Sequence, residues 1–199
     1  MEAPANNKTK PGDFVADVES IRARARRHIE NGAVTDGYRA DRETVIRVLN
    51  EALATELVCV LRYKRHYYMA SGIHSQAVAA EFLEHAKEEQ EHADKLAERI
   101  TQLDGEPNFS PEGLASRSHS QYVEGTSLIE MIREDLVAER IAIDSYNEII
   151  RYLGEKDPTS RRVMEEILAK EEEHADDLKS LLTTIGSEQQ SRSSKDRAA

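Results

Sequence analysis

Apolar residues recur at steps of three and four along most of the chain, and this spacing places them on one face of an α-helix. Four such stretches follow one another, at residues 41–72, 75–103, 127–154 and 157–186. In the first stretch the apolar face consists of aliphatic residues: Val45, Val48, Leu49, Ala52, Leu53, Leu57 and Val60. The pattern therefore predicts four long amphipathic helices.

Residue types at the ends of these stretches support the predicted boundaries. Ser127 and Glu130 form a capping box at the start of the third helix. Asp157 followed by Pro158 supplies an N-cap and a proline at the first helical position of the fourth helix. Glycine favours helix termination, and all four stretches end near one: Gly72, Gly105, Gly154 and Gly186.

The connections between the helices predict how they are arranged. The first and second helices are joined by a short loop, as are the third and fourth, so each pair is expected to form an antiparallel hairpin. The intervening residues 104–126 are long enough to cross the bundle lengthwise. The sequence thus predicts an all-α four-helix bundle, made of two antiparallel hairpins joined by a long crossover.

Both ends of the chain lack this periodicity. Residues 1–40 are polar and rich in proline and glycine, so they are predicted to form an N-terminal arm with one short helix at about residues 15–29. Residues 187–199 are polar and are predicted to be a disordered tail, which leaves a helical domain at residues 41–186. The arm carries a local basic cluster: Arg22, Arg24, Arg26 and Arg27.

Composition narrows the function classes. The 38 acidic residues exceed the 27 lysines and arginines, and the net charge of −11 disfavours a largely basic nucleic-acid-binding face. No apolar run approaches the roughly 20 residues that span a bilayer. The N-terminus has no apolar core of a signal peptide, and Cys59 is the only cysteine, so no intrachain disulfide is expected. These features predict a cytoplasmic protein.

An internal repeat in the second and fourth helices carries the candidate chemistry. Residues 89–96 and 171–178 are identical at six of eight positions. Each copy contains the pattern Glu-x-x-His, whose two side chains project in neighbouring directions from a helix and could hold one metal ion. The residues are Glu89 with His92, and Glu171 with His174.

The first and third helices repeat in a matching way. Each contains a glutamate followed seven residues later by a tyrosine, namely Glu56 with Tyr63 and Glu139 with Tyr146. Both glutamates lie within apolar stripes, where an isolated carboxylate is costly to bury unless it is paired or coordinates a metal. No lysine or arginine repeats with them, so we predict that they belong to the same site as the two Glu-x-x-His motifs.

The resulting donor set predicts the metal. Four carboxylates and two imidazoles suit iron or manganese, and four negative charges balance two divalent ions. One glutamate from each of two helices, with a Glu-x-x-His from each of the other two, is the arrangement of ferritin-like di-iron bundles. Which pair of carboxylates bridges the two ions is left open by the sequence.

The sequence resembles bacterioferritins over about residues 41–185. The resemblance is strongest at Glu56-Leu-Val, at residues 89–94 with Leu-Asp-Gly-Glu-Pro-Asn after them, and at residues 171–174. It implies a ferritin-like fold and a ferroxidase that oxidises ferrous iron with oxygen or hydrogen peroxide and stores the product in an oligomeric shell. It also implies two iron ions per subunit, for which manganese or zinc could substitute, and six ligands: Glu56, Glu89, His92, Glu139, Glu171 and His174.

Three departures from the bacterioferritin pattern refine this expectation. Gln90 replaces the methionine that ligates haem in that family, so no haem is expected. The polar residues after Gly186 contain no counterpart of the short fifth helix that helps to build the larger cage. The N-terminal arm is added, and the crossover is longer. Together these features resemble bacterioferritin-like members of the smaller mini-ferritins and favour a dodecamer.

Two further functions and one further residue complete the expectations. Tyr63 lies two turns beyond Glu56, where bacterioferritins have a tyrosine near the iron pair, and it could lend an electron during oxygen reduction or serve ordinary core packing. The first alternative function is a DNA-binding protective shell that uses the basic N-terminal arm. The second is a di-manganese catalase or peroxidase.

Overall fold

The computed structural model of the protein describes residues 16–73 and 75–196, with side chains up to residue 187. Within these ranges the chain forms six α-helices, one 3-10 helix and no strand, so the predicted all-α class is confirmed there. The helices are α1 (Val18–Arg24), α2 (Arg42–Met69), α3 (Ser75–Gln102), α4 (Leu114–Arg117), α5 (Leu128–Leu153) and α6 (Pro158–Asp196), and the 3-10 helix is Ile29–Asn31.

The chain divides into two compact units after Gly37. In the first unit, α1 begins after Asp17, whose carboxylate accepts a hydrogen bond from the backbone N–H of Ser20 at 3.0 Å. The helix ends at Arg24, before the end predicted near residue 29, and no residue of α1 is buried. The first fifteen residues of the predicted arm lie outside the described residues.

In the second unit, α2 and α3 pack side by side as one hairpin, and α5 and α6 form the other. The predicted caps of the second hairpin are present. Ser127 Oγ accepts from the backbone N–H of Glu130 at 3.3 Å, and Asp157 Oδ1 accepts from that of Ser160 at 2.9 Å. Capping satisfies backbone donors that the first turn of a helix leaves free, so α5 and α6 begin where the sequence predicts.

The crossover between the hairpins, residues 103–127, includes α4 and runs along α2 in the same direction. Hydrogen bonds join the two segments in the same order on both: Asn50 with the N–H of Asn108 at 2.7 Å, Thr55 with the N–H of His119 at 2.9 Å, Arg62 with the carbonyl of Gln121 at 3.0 Å, and Arg65 with the carbonyl of Glu124 at 2.7 Å. The crossover therefore spans α2 lengthwise, as predicted.

The two hairpins share an apolar core next to the predicted site. Residues from all four long helices are fully buried in it, including Tyr63 of α2, Phe82 of α3, Ile132 of α5 and Leu178 of α6. Burying a large apolar side chain stabilises a fold by roughly 1.5–3 kcal/mol, so such a cluster fixes the helices against one another. The site residues are thus held by rigid elements.

The end of the last long helix also differs from the prediction. Helix α6 continues to Asp196, beyond the end predicted at Gly186, so the structure assigns helix to most of the tail predicted to be disordered. Residues 197–199 lie outside the described residues. A single glycine costs about 1 kcal/mol in a helix, and the following residues contain good helix formers and no proline, so an established helix can propagate through it.

No helix in the described part of the chain is both long enough and apolar enough to cross a membrane.

Candidate metal centre

The structure brings together all six predicted ligands in the interior of the bundle. Each of the four long helices contributes at least one of them, and none is more than 3% exposed. They are Glu56 on α2, Glu89 and His92 on α3, Glu139 on α5, and Glu171 and His174 on α6. Such burial is rare for carboxylates that are neither paired nor bound to a cation.

The six residues form two overlapping groups of four, and in each group the candidate donor atoms lie within 4.8 Å of one another. The groups are Glu56, Glu89, His92 and Glu171, and Glu89, Glu139, Glu171 and His174. Glu89 and Glu171 belong to both groups, whereas each remaining residue belongs to one. This geometry makes Glu89 and Glu171 the candidates for bridging two ions, a choice that the sequence left open.

Both histidines present Nδ1 to the carboxylates. His92 Nδ1 lies 2.9 Å from Glu171 Oε1 and 3.4 Å from Glu56 Oε2, and its hydrogen bond goes to Glu89 Oε2 at 3.2 Å. His174 Nδ1 lies 3.5 Å from Glu171 Oε2, while its Nε2 donates to Glu88 Oε2 at 2.8 Å. Fixing Nε2 in this way orients the ring so that Nδ1 can act as a ligand.

Several polar atoms at the centre of the site have no hydrogen-bond partner in the described part of the chain. They are Glu56 Oε2, Glu89 Oε1, Glu139 Oε2, both carboxylate oxygens of Glu171, and His174 Nδ1. Buried polar atoms in folded proteins almost always have a partner, so these atoms need an additional cation or proton. Oxygen-rich donors with two imidazoles fit two divalent transition-metal ions in the iron and manganese class.

Without metal, the site balances its charge with protons. Burial raises the pKa of Glu56 and Glu139 well above the ordinary carboxyl value, and the nearby charges of Glu89 and Glu171 raise it further. Burial opposes charge on His92, but its contacts with three carboxylates raise its pKa to about 12. The pKa of His174 rises to about 11 for the same reason. Bound metal ions would replace these protons.

Comparison with known proteins gives the same result as the geometry. Residues 46–187 match the family model of the ferritin-like domain. The chain belongs to the ferritin-like family. A bacterioferritin of Brucella melitensis is 36% identical over 150 residues, which are 72% of this chain and 88% of that protein. A bacterioferritin of Mycobacterium bovis is 33% identical over 139 residues, 69% of this chain and 83% of that protein.

A solved structure supports the same placement. A bacterioferritin-related protein from Bacteroides fragilis, described as a dodecameric thioferritin, superimposes with a TM-score of 0.74 at 33% identity. The match covers 77% of this chain and 92% of that one. Within the ferritin-like family, the chain is therefore bacterioferritin-like.

Two tyrosines of this bacterioferritin-like bundle connect its hairpins at the site. The Tyr63 hydroxyl donates to Glu139 Oε1, and the Tyr146 hydroxyl donates to Glu56 Oε1. Each tyrosine thus binds the glutamate of the opposite hairpin rather than the one on its own helix. Tyr146 was missed as a site residue, although its spacing of seven residues from Glu139 repeats that of Tyr63 from Glu56.

The two tyrosines differ in their second partner. The Tyr63 oxygen also lies 3.2 Å from His85 Nδ1. Burial, and then the charge of neighbouring His174, lower the pKa of His85 to about 4, so its ring is neutral at neutral pH. No corresponding histidine contacts Tyr146 in the described part of the chain, and the hydrogen-bond network around the site is therefore asymmetric.

A second buried network lies beside Tyr63, and sequence reasoning missed it. Arg62 Nε donates to Asp135 Oδ1 at 2.7 Å, and His66 Nδ1 lies 2.8 Å from Asp135 Oδ2. All three side chains are fully buried. Arg62 also donates to the crossover, as does Arg65, so the network ties the crossover to α2 and α5. The sequence holds no repeat or motif that could have indicated it.

Proposed function

We propose that this protein is an iron-storage ferroxidase, in which two ferrous ions are bound as substrate within each subunit and oxidised to ferric iron. The electrons pass to oxygen or hydrogen peroxide, and the ferric product is held inside an oligomeric shell. The main support is the buried set of six ligands, in which two carboxylates are common to both halves and several oxygen atoms lack a partner.

The residues of the chain divide the work at this site. His92 and His174 each provide one nitrogen donor, and Glu56 and Glu139 each provide one terminal carboxylate. Glu89 and Glu171 lie where they can contact both ions. Carboxylates are hard oxygen donors that suit ferrous and ferric iron alike, so the same residues can hold substrate and product. Bound iron supplies the redox chemistry, since each ferrous ion gives up one electron.

Metal analysis tests the stoichiometry. Protein stripped with a chelator, loaded anaerobically with ferrous iron and desalted should approach two irons per chain before any core grows. Glu56→Ala should bind less iron and lose rapid oxidation by at least about a hundredfold, since it loses a direct ligand, whereas loss of a supporting residue costs 10- to 100-fold. Glu91→Ala is the matched control, because Glu91 is exposed on α3 close to His92. A reproducible value of one iron per chain would contradict the proposal.

Three further experiments separate the candidate reactions, and the first uses the same iron-loaded sample. Addition of oxygen and of hydrogen peroxide in separate experiments identifies the oxidant from the rate of ferric iron formation. Rapid breakdown of peroxide by a separate manganese-loaded sample, without rapid iron oxidation by the iron-loaded protein, would instead indicate the di-manganese catalase or peroxidase. Salt-sensitive retardation of DNA that vanishes on removal of residues 1–40 would indicate the DNA-binding shell.

We also propose a dodecameric shell without haem in the cytoplasm. The similarity to a protein described as dodecameric supports a shell of twelve subunits. The expected absence of haem rests on Gln90, whose amide is a poor substitute for the thioether of a haem-ligating methionine. Gln90 is exposed on α3, and its Nε2 donates to Asp94 Oδ1 at 3.0 Å. An absorption spectrum of the purified protein tests the absence of haem, because a Soret band stoichiometric with the chain would contradict it. Fractionation of cells tests the cytoplasmic location.

A further inference from the structure

His85 on α3 lies between the candidate metal centre and a pair of acidic side chains at the edge of the bundle. The residue is 1% exposed, and its ring stacks on that of His174 with a centroid distance of 4.1 Å. On the other side, Glu81 approaches from the preceding turn of α3 and Asp177 from α6. His85 is not one of the six predicted ligands.

Hydrogen bonding determines which ring nitrogen of His85 carries the proton. The Tyr63 hydroxyl donates its hydrogen to Glu139, so its oxygen can only accept from His85 Nδ1. Nδ1 is therefore protonated. Nε2 is then the ring nitrogen that remains available to bind a metal ion. This nitrogen makes no hydrogen bond within the described part of the chain.

His85 Nε2 faces two carboxylates, those of Glu81 and Asp177. Glu81 Oε1 is 3.4 Å away and Asp177 Oδ2 is 3.9 Å away, and all three donor atoms lie within 4.8 Å of one another. Two ligands at about 2.1 Å from one ion are separated by about 3.0–3.4 Å in octahedral or tetrahedral geometry, so small side-chain movements would complete a site. Neither carboxylate pairs with a lysine or arginine among the described residues.

We propose that Glu81, His85 and Asp177 form a third metal site, which takes a divalent transition-metal ion outside the dinuclear centre. Two carboxylates and one imidazole suit ferrous iron, manganese or zinc, with water completing the coordination. The Glu81 and Asp177 side chains are 37% and 48% exposed, so an ion there can exchange with solvent. The site is built by a buried imidazole with a fixed tautomer and does not depend on acidic residues alone.

The neighbouring Glu88 is a weaker candidate for this site. Its carboxylate is occupied by His174 Nε2 at 2.8 Å and by Lys170 Nζ at 3.2 Å. The cationic lysine would also repel a metal ion. The proposed site therefore includes Asp177 rather than Glu88.

Hydrogen bonds join the third site to the dinuclear centre. Glu139 accepts from Tyr63, and Tyr63 accepts from His85, whose Nε2 faces the third site. A histidine ligand binds metal best when its other nitrogen donates to a supporting group, and Tyr63 has that role here. An ion at the third site is thus one imidazole and one phenol away from a ligand of the dinuclear centre.

Zinc titration of the chelator-stripped full chain tests the proposal without any oxidation, so the outcome does not depend on the ferroxidase reaction. The parent should bind three zinc ions per chain by calorimetry and by metal analysis after desalting. The double variant Glu81→Gln and Asp177→Asn should bind two, with at least a tenfold loss of affinity for the third. The double variant Glu91→Gln and Asp176→Asn carries the same charge change on exposed positions of the same helices and should bind three.

Zinc anomalous scattering from crystals of the loaded parent provides the position. A peak between Glu81, His85 and Asp177 is expected in the parent and in Glu56→Gln, and its absence is expected in the Glu81 and Asp177 double variant. Two zinc ions in the parent, a third ion retained by that double variant, or a third peak elsewhere would each overturn the proposal. Loss of the two central peaks in Glu56→Gln with the third retained would leave this inference intact and bear only on the dinuclear centre.

Discussion

The acidic residues of the candidate metal centre oppose one another's ionisation when no metal is bound. Four carboxylates lie in one buried site, and two of them, Glu56 and Glu139, have raised pKa values because burial and neighbouring charges oppose their ionisation. An acid whose pKa is higher in the folded than in the unfolded chain destabilises the fold at any pH above its unfolded value. Glu56 and Glu139 therefore reduce the stability of the metal-free protein at neutral pH, whereas the raised pKa values of His92 and His174 contribute stability there.

The first prediction is that Glu56→Gln stabilises the metal-free chain. The amide cannot ionise, which removes the cost of keeping the buried Glu56 carboxyl protonated, and it keeps an oxygen that can accept from Tyr146. In chelator at neutral pH, the free energy of unfolding should rise on the order of 1 kcal/mol. The advantage should be small near pH 4, where unfolded glutamate is protonated, and should grow as the pH rises.

Thermal melts of parent and Glu56→Gln between pH 4 and pH 8, with chelator and with added manganese, measure this effect. Metal should stabilise the parent more than the variant, because only the folded parent presents all six ligands. Glu91→Gln is the control and should change stability by less than about 0.5 kcal/mol. A clear loss of metal-free stability in Glu56→Gln would mean that ionised Glu56 contributes to the fold.

The second prediction separates the two tyrosines. Both donate to a ligand carboxylate, but in the described part of the chain only Tyr63 is also bonded to a histidine. If Tyr63 lends an electron during oxygen reduction, Tyr63→Phe should slow oxidation by about tenfold while two irons still bind. Tyr146→Phe is the matched control, with a smaller effect. Stopped-flow oxidation with iron analysis measures both, and equal effects would indicate that the two hydroxyls merely position carboxylates.

At the scale of elements, the start of α6 is held to α3 by a buried ion pair. Arg99 Nη2 donates to Asp157 Oδ1 at 3.0 Å, and Asp157 also accepts from Ser160 and from Tyr38. Burial would raise the pKa of Asp157, but these hydrogen bonds and the Arg99 charge lower it. This residue joins the second hairpin to the first at one end of the bundle, so it helps to set the register of the two Glu-x-x-His motifs.

The third prediction concerns this connection. Asp157→Asn should destabilise the protein by about 3–5 kcal/mol at neutral pH, because it leaves Arg99 buried without a counter-charge. Since the folded pKa of Asp157 is lowered, its contribution is present above the unfolded value near 3.9 and is lost as the pH falls through the folded value. Denaturant unfolding should therefore show a smaller difference in unfolding free energy between the parent and Asp157→Asn at pH 3 than at pH 7. A difference that is the same at both pH values would exclude the charge of Asp157 as its cause.

At the scale of the whole molecule, the proposed function needs an enclosed space for ferric iron. The described chain exposes several large apolar side chains, among them Leu61, Tyr68 and Met69 of α2 and Phe109 and Tyr122 of the crossover. Single exposed apolar residues are normal, whereas a contiguous apolar patch marks a surface that contacts another protein. These residues are candidates for the subunit contacts of the proposed shell.

The fourth prediction is the size of that shell. Multi-angle light scattering of the purified protein should give the mass of twelve chains of 22.5 kDa. Replacing Leu61 with a charged residue such as glutamate should yield smaller species if α2 lies at an interface, because an unpaired charge is costly to bury. A shell of twice the dodecamer mass would contradict this prediction and leave the dinuclear centre unaffected.

The sequence by itself predicted the four long helices and their pairing, and it indicated the six residues that the structure brings together at the candidate metal centre. Helical periodicity and capping are local, so α2, α3, α5 and α6 could be placed from residue spacing. The exception is the end of α6, which continues past Gly186. The repeated Glu-x-x-His motifs are local as well. Two matching hairpins then had to bring Glu56 and Glu139 to the same height as the histidines.

Only the tertiary structure decided which residues of different helices meet. Tyr63 shares a helix with Glu56 but donates to Glu139, and Glu89 and Glu171 became common to both ligand groups, because the rotation and register of packed helices set these contacts. The Arg62–Asp135 pair and the approach of Asp177 to His85 likewise join distant parts of the chain. No periodicity within one helix carries that information, since it is fixed when the side chains of facing helices interlock.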